Sequence, residues 1–128
     1  MNKGKMNSLI NKLSDEKFSY GKNDCFTFTA ALVKEWHGSD YRKLHKYKNK
    51  AEAMRYINEN KGIERLTTGT LGYGVSPEKC GDGDVVIAEV APDEIALGFV
   101  FDGHGLFKGK KKVMKMKLSN CVKGWRLS

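Results

Sequence analysis

The residues best suited to chemistry stand together at Tyr20-Gly21-Lys22-Asn23-Asp24-Cys25, just before the apolar-periodic segment Thr29 to Trp36. Asn23 and Asp24 are helix-start residues, because a short polar side chain can accept a bond from the free N–H groups of a first helical turn. Cys25 then opens the helix. A sulfur at that place feels the positive end of the helix dipole, which favours thiolate over thiol and can pull its pKa below the free value of about 8.5. Cys25 is accordingly the candidate nucleophile, with Asp24 and Tyr20 as its motif neighbours. Cys25 also falls at helical spacing with Phe28, Leu32 and Trp36, so it can simply begin the core face of the helix. Taken alone, the thiol favours this second reading, since most cysteines are inert.

The neighbours shift the balance. Tyr20-Gly21, a gap of two residues, Asp24-Cys25 and an aromatic-rich helix together resemble the nucleophile motif of the NlpC-like cysteine peptidases. That papain-like family cuts the peptide stems of bacterial cell walls. The chain is most like the short, phage-borne branch encoded among tail genes, whose members end in an Ala-Trp-Arg-like tail. Here the end is Lys123-Gly124-Trp125-Arg126-Leu127, with Gly124 where that pattern has alanine. The resemblance takes in the cysteine helix, a middle helical region, a Gly-Asp strand start at Gly83-Asp84 and the terminal Trp-Arg. It implies an α+β, papain-like NlpC-type fold, with N-terminal helices packed on a C-terminal antiparallel β-sheet. It also implies a place in a bacteriophage tail tip or baseplate after assembly in the host cytoplasm, with hub or tail-tip proteins and peptidoglycan as partners.

A cysteine peptidase needs a base for the thiol proton, usually a third group to orient that base, and N–H donors for the oxyanion. In the resembling family the histidine opens the strand after the Gly-Asp strand, in a pattern like His-Val-Gly-Ile-Tyr. The matching residues here are Ala96-Leu97-Gly98-Phe99-Val100, so Ala96 stands where the imidazole would be. The third residue would fall near Leu106 to Lys108, where no His, Asn or Gln occurs. Of the three histidines, His37 lies roughly 18 Å from Cys25 along the helix axis and reads as a favourable helix C-terminal residue. His45 lies in the polar segment after the helix, and nothing in the sequence places it. His104 is the remaining base candidate, eight residues beyond Ala96 and so roughly 26 Å away along a straight strand. Only a bent strand or another register would bring it to Cys25, and between two glycines it reads more simply as a turn residue.

Two functions follow. In the first, the chain is a tail component whose catalytic machinery has degenerated; in the second, it is an active peptidoglycan-cleaving cysteine endopeptidase with a base recruited from elsewhere. A basic binding module outside the family is a third. The net charge of +8 is concentrated in Arg42, Lys43, Lys46, Lys48 and Lys50 and again in Lys108, Lys110, Lys111, Lys112, Lys115 and Lys117. Clusters so rich in lysine and poor in arginine read as solvated faces or hairpin tips rather than a base-reading surface, which argues against specific nucleic-acid binding.

These residues must be positioned by a single domain, 1–128, with an ordinary core: 40% of residues are hydrophobic, including two tryptophans and six phenylalanines. No membrane span and no signal core is expected, and folding is expected in the cytoplasm. An odd cysteine count without C-x-x-C argues against disulfides and zinc, leaving Cys80 and Cys121 as reduced packing residues; no cofactor and no metal is expected. The periodicity predicts a helix over 6–13 (Met6, Leu9, Ile10, Leu13), the cysteine helix to Trp36 or His37 with Gly38 as its stop, and a helix over 49–60 with Ala51, Met54 and Ile57 inward. Ile63 to Glu78, rich in Gly and Thr, predicts a long turn-rich loop without a phosphate-binding pattern. Strands are predicted at 84–90, 95–101, 106–108 and 113–118, the last a half-exposed edge in which Met114, Met116 and Leu118 alternate with Lys115 and Lys117. Helices followed by an antiparallel meander make an α+β arrangement.

Overall fold

The computed structural model describes residues 2–43 and 46–127; His45 lies outside the described residues. Among the described residues four α-helices precede a five-stranded sheet: α1 (Lys3–Asp15), α2 (Cys25–His37), α3 (Lys50–Glu59) and α4 (Ile63–Leu71), then β1 (Val85–Ala91), β2 (Glu94–Phe101), β3 (His104–Lys108), β4 (Val113–Lys117) and β5 (Lys123–Trp125). The sheet order is β4-β3-β2-β1-β5 and every pairing is antiparallel. The class is therefore α+β.

The period-two pattern of the strands divides the core in two. Val85 and Ile87 of β1, Leu97, Phe99 and Phe101 of β2 and Leu106 of β3 turn towards the helices, where they bury with Met6, Phe28, Leu32 and Leu66. Val86, Ala88, Ala96, Val100 and Phe107 bury on the opposite face with Cys80, and Met114, Met116 and Leu118 pack at the margin. The Phe107 ring lies so close over Gly98 and Gly105 that a Cβ at either would collide with it. The strand glycines thus make room for an aromatic ring on the sheet's second face. β2 and β3 are joined by Asp102-Gly103, both at positive φ (52° and 72°), as a tight right-twisted hairpin requires.

Three expectations are corrected. Ile63 to Glu78 is not one long loop, because its first nine residues form α4. Ile63, Leu66 and Thr67 bury there, and the Thr67 and Thr70 hydroxyls donate to the carbonyls of Ile63 and Leu66, so these polar groups are satisfied within the helix itself. In α3 Ala53 is buried and Ile57 packs against the core as expected, while Ala51 is exposed and Met54 is 41% exposed. Finally, His104 is not a turn residue but the first residue of β3, paired with Phe101 and Lys117.

Candidate functional site

The motif is built from Asp24 outward. Its side chain caps α2 by accepting from the Thr27 N–H (2.9 Å), and the Thr27 hydroxyl accepts in return from the Asp24 N–H (2.8 Å), a reciprocal capping box. The second carboxylate oxygen accepts from the Gly21 N–H at 2.8 Å and from the Tyr47 hydroxyl at 2.6 Å. Gly21 holds φ +84°, and a Cβ there would strike the Tyr47 carbonyl. The glycine is therefore required twice, for its left-handed backbone and for the close passage of the 47–48 chain. Asp24 is 2% exposed with both oxygens engaged in the scaffold, so it positions the cysteine turn and is not a free acid or base. Burial beside Asp24, Cys25 and Tyr20 raises the Tyr47 hydroxyl far above its ordinary pKa.

Cys25 is the first residue of α2, half-buried, and lines a cleft of about 570 Å³. The expected depression of its pKa does not occur. Burial pushes the thiol up to about 12, and the Asp24 carboxylate adds to the rise. The backbone N–H groups of Leu97, Phe26 and Cys25 itself face the sulfur and act in the opposite sense without prevailing. The Leu97 amide sets β2 directly against the sulfur. Ala96, the neighbour of Leu97, lines the same cleft and belongs to the cluster against which Cys25 packs. Tyr20 also lines the cleft, in an edge-to-face contact with Phe18 at 5.0 Å, and its pKa is raised by burial, then by Glu94, Cys25 and Asp24.

The structure therefore brings Tyr20, Asp24, Cys25 and the Ala96 position together, and it does not bring His104 to them. His104 opens β3 beyond the hairpin turn and donates from Nδ1 to the Asp102 carbonyl at 2.9 Å. Its strand partner Phe101 lies four residues beyond Leu97, about 13 Å along β2. His37, at the other end of α2, donates from Nε2 to the Gly83 carbonyl at 2.7 Å. Gly83, at φ +94°, admits the Trp36 indole where a Cβ would clash, and the next residue, Asp84, is 4% exposed and accepts from the N–H groups of Gly81 and Leu127.

One residue of the site was misplaced by sequence reasoning. Lys108 is not part of a solvated lysine face; it is 5% exposed, and its ammonium donates to the carbonyls of Leu13, Ser14 and Glu16 at 2.7–3.1 Å, where α1 ends. The Asn23 amide reaches two of the same carbonyls. Burial lowers the Lys108 pKa, against the opposing pull of Glu16 and Asp15. Three acceptors for three N–H bonds keep the group an ammonium, so Lys108, although it lines the Cys25 cleft, has no lone pair to take a thiol proton. The signal was available in the alternation of β3, which sends Leu106 and Lys108 to the helix side and Phe107 to the other.

A second, basic pocket of about 490 Å³ borders the Tyr20–Asp24 loop, lined by Lys22, Arg42, Lys46, Lys48 and Glu52 with Tyr47. Arg42 is closed onto Asp40 through two short contacts of 2.9 Å. Among the described residues no group of three or more His, Cys, Asp or Glu side chains could hold a metal ion, and no helix is long and apolar enough to cross a membrane.

No curated protein and no solved structure matches the chain. A family model described as a domain of unknown function, DUF6950, matches residues 3–127. That span takes in the cysteine turn, α2, the whole sheet and the Trp125 strand, and the chain belongs to the DUF6950 family.

Proposed function

We propose that the protein is a bacteriophage tail tip or baseplate component with an NlpC-like, papain-type fold, in which peptidase chemistry has been lost and binding retained. One observation carries the loss of chemistry: Cys25 lines its cleft beside Ala96, burial holds its thiol protonated, and no described residue lining the cleft bears an imidazole. Acyl transfer from a thiol needs somewhere for the proton to go, and Lys108, a basic group lining the cleft, is fully committed as an ammonium. The family assignment within the peptidases and the place in the virion tail rest on the Tyr20-Gly21…Asp24-Cys25 motif and the Trp125-Arg126 end. Helices ahead of an antiparallel sheet, with the cysteine at a helix start against a strand, agree with that reading.

The test is incubation of the purified protein and its Cys25→Ala variant with fluorescently labelled peptidoglycan. The expected result is that neither releases stem peptides. Release by the wild type that disappears in the variant overturns the proposal and installs the second reading, an active endopeptidase.

A further inference from the structure

The Cys25 cleft has the size and lining of a binding site and not of a packing defect. At about 570 Å³ it falls within the range of about 300–1,000 Å³ typical of ligand-binding clefts. One wall is apolar: Phe18, Ile57, Ile95 and Met114 are half-buried and Met54 is exposed. Half-exposed apolar residues gathered into one concavity mark an interaction site more often than scattered ones do. The cleft is also lined by the β3–β4 tip, Lys110-Lys111-Lys112, whose side chains are exposed and take part in no ion pair among the described residues. Against these three charges the described lining of the cleft holds two carboxylates, Glu94 and an Asp24 already spent on its cap and on Tyr47.

We infer that this cleft docks an acidic segment of a partner protein, an apolar side chain seated against Met54, Ile57 and Ile95 and its carboxylates lying along Lys110–Lys112. The inference rests on the reading of the cleft as one that binds without cutting. Charge complementarity selects the occupant: three ammonium groups without an ion pair among the described residues, lining a cleft with apolar side chains, fit carboxylates flanking an aliphatic or aromatic anchor. The neighbouring pocket is also basic but lacks the apolar wall, and its arginine is already neutralised by Asp40. Nucleic acid fits less well. Phe18 and Tyr20 stand edge to face at 89°, so they present no pair of parallel faces on which successive bases could stack.

The experiment is fluorescence anisotropy with a short fluorescein-labelled peptide alternating Asp and Glu with Leu and Phe. A peptide with lysine in place of every acid and a short single strand of DNA serve as comparison probes. The protein is the full chain, as wild type, as K110E/K111E/K112E, as Met54→Asp, and as K46E/K48E in the neighbouring pocket. The acidic peptide should bind saturably, and the triple reversal should weaken it roughly tenfold or more, as loss of three rim ion pairs would. Met54→Asp should weaken it severalfold, and K46E/K48E by less than about twofold. All the substituted side chains are exposed, so unchanged circular dichroism is expected to certify the fold. No saturable binding of the acidic peptide, an equal loss in K46E/K48E, or tighter binding of the DNA strand than of the peptide would each overturn the inference. These failures are separate from failure of the proposed function, which is read only from Cys25-dependent release of stem peptides.

Discussion

At the scale of single residues, the decisive quantity is the protonation of Cys25. A helix start alone would favour the thiolate, yet the thiol sits where desolvation outweighs the dipole and three backbone N–H groups together. With its pKa raised to about 12, its thiolate fraction at neutral pH is far below that of a free cysteine. Alkylation by iodoacetamide at neutral pH, followed by mass spectrometry of the Cys25 peptide, should therefore be far slower than that of a free thiol and should climb steadily into strong alkali. Labelling at the free-thiol rate would disprove the buried, protonated sulfur. The same shift is a statement about stability. Below about pH 9 the proton is bound in both folded and unfolded chains; between about 9 and 12 the unfolded chain has lost it while the folded chain keeps it. Stability contributed by this group is thus present below the unfolded pKa and lost as pH rises towards 12. Cys80, raised by burial to about 11, acts in the same direction. Cys25→Ala should flatten the decline measured by denaturant titration across that range.

At the scale of elements, α1, the cysteine turn and β3 are joined by Lys108. Its ammonium closes carbonyls at the end of α1 while Asn23 holds two of the same groups, so the turn that delivers Cys25 is tied to the helix before it and to the sheet. Lys108→Met keeps most of the apolar stem and removes all three bonds. The expected cost is about 2–4 kcal/mol in denaturant unfolding, since charged hydrogen bonds of this kind contribute about 1.5–3 kcal/mol and three carbonyls lose their donor. A loss below about 0.5 kcal/mol would mean that water replaces the ammonium freely. The elements were legible in the sequence to very different degrees. α2 could be bounded from Asp24 to Gly38 because both ends carry local signals, a capping box and a left-handed glycine. For Lys108 the alternation of β3 could give the side it faces but not its partners, which lie more than ninety residues away, and five like-charged neighbours suggested a solvated face. α4 was hidden for a related reason. Thr67-Thr68-Gly69-Thr70 is a poor helix on propensity, and burial of Ile63 and Leu66 against the rest of the core overrides it. The site was half legible: the Tyr20-to-Cys25 turn and the Ala96 position could be named, but Tyr47, which completes the Asp24 cage, is joined to it by no periodicity.

At the scale of the whole molecule, the topology makes the last strand a keystone. β5 pairs with β1, the first strand, so the sheet is complete only when residues 123–125 have reached residues 85–87. Trp125, 1% exposed, lies in the helix-side core and donates from its indole to the Gly72 carbonyl at the end of α4 (3.0 Å). Just beyond it, the Leu127 N–H donates to the Asp84 carboxylate at the start of β1. Strand, helix and core thus converge on one side chain. Trp125→Ala removes the largest of the fully buried groups, at an expected cost of about 3–5 kcal/mol. A chain of 128 residues has roughly 6–19 kcal/mol to lose. The remaining tryptophan, Trp36, sits at the far end of α2 against Phe99 and Phe101, and is a fluorescence reporter for the helical layer. If the core is one cooperative unit, Trp36 fluorescence and far-ultraviolet circular dichroism must fall together in Trp125→Ala, at a denaturant midpoint well below that of the wild type. Two separated transitions, with Trp36 keeping its native environment after the backbone signal is lost, would show that the helices stand without the closing strand. In that case the sheet could not be what holds the Cys25 turn in place.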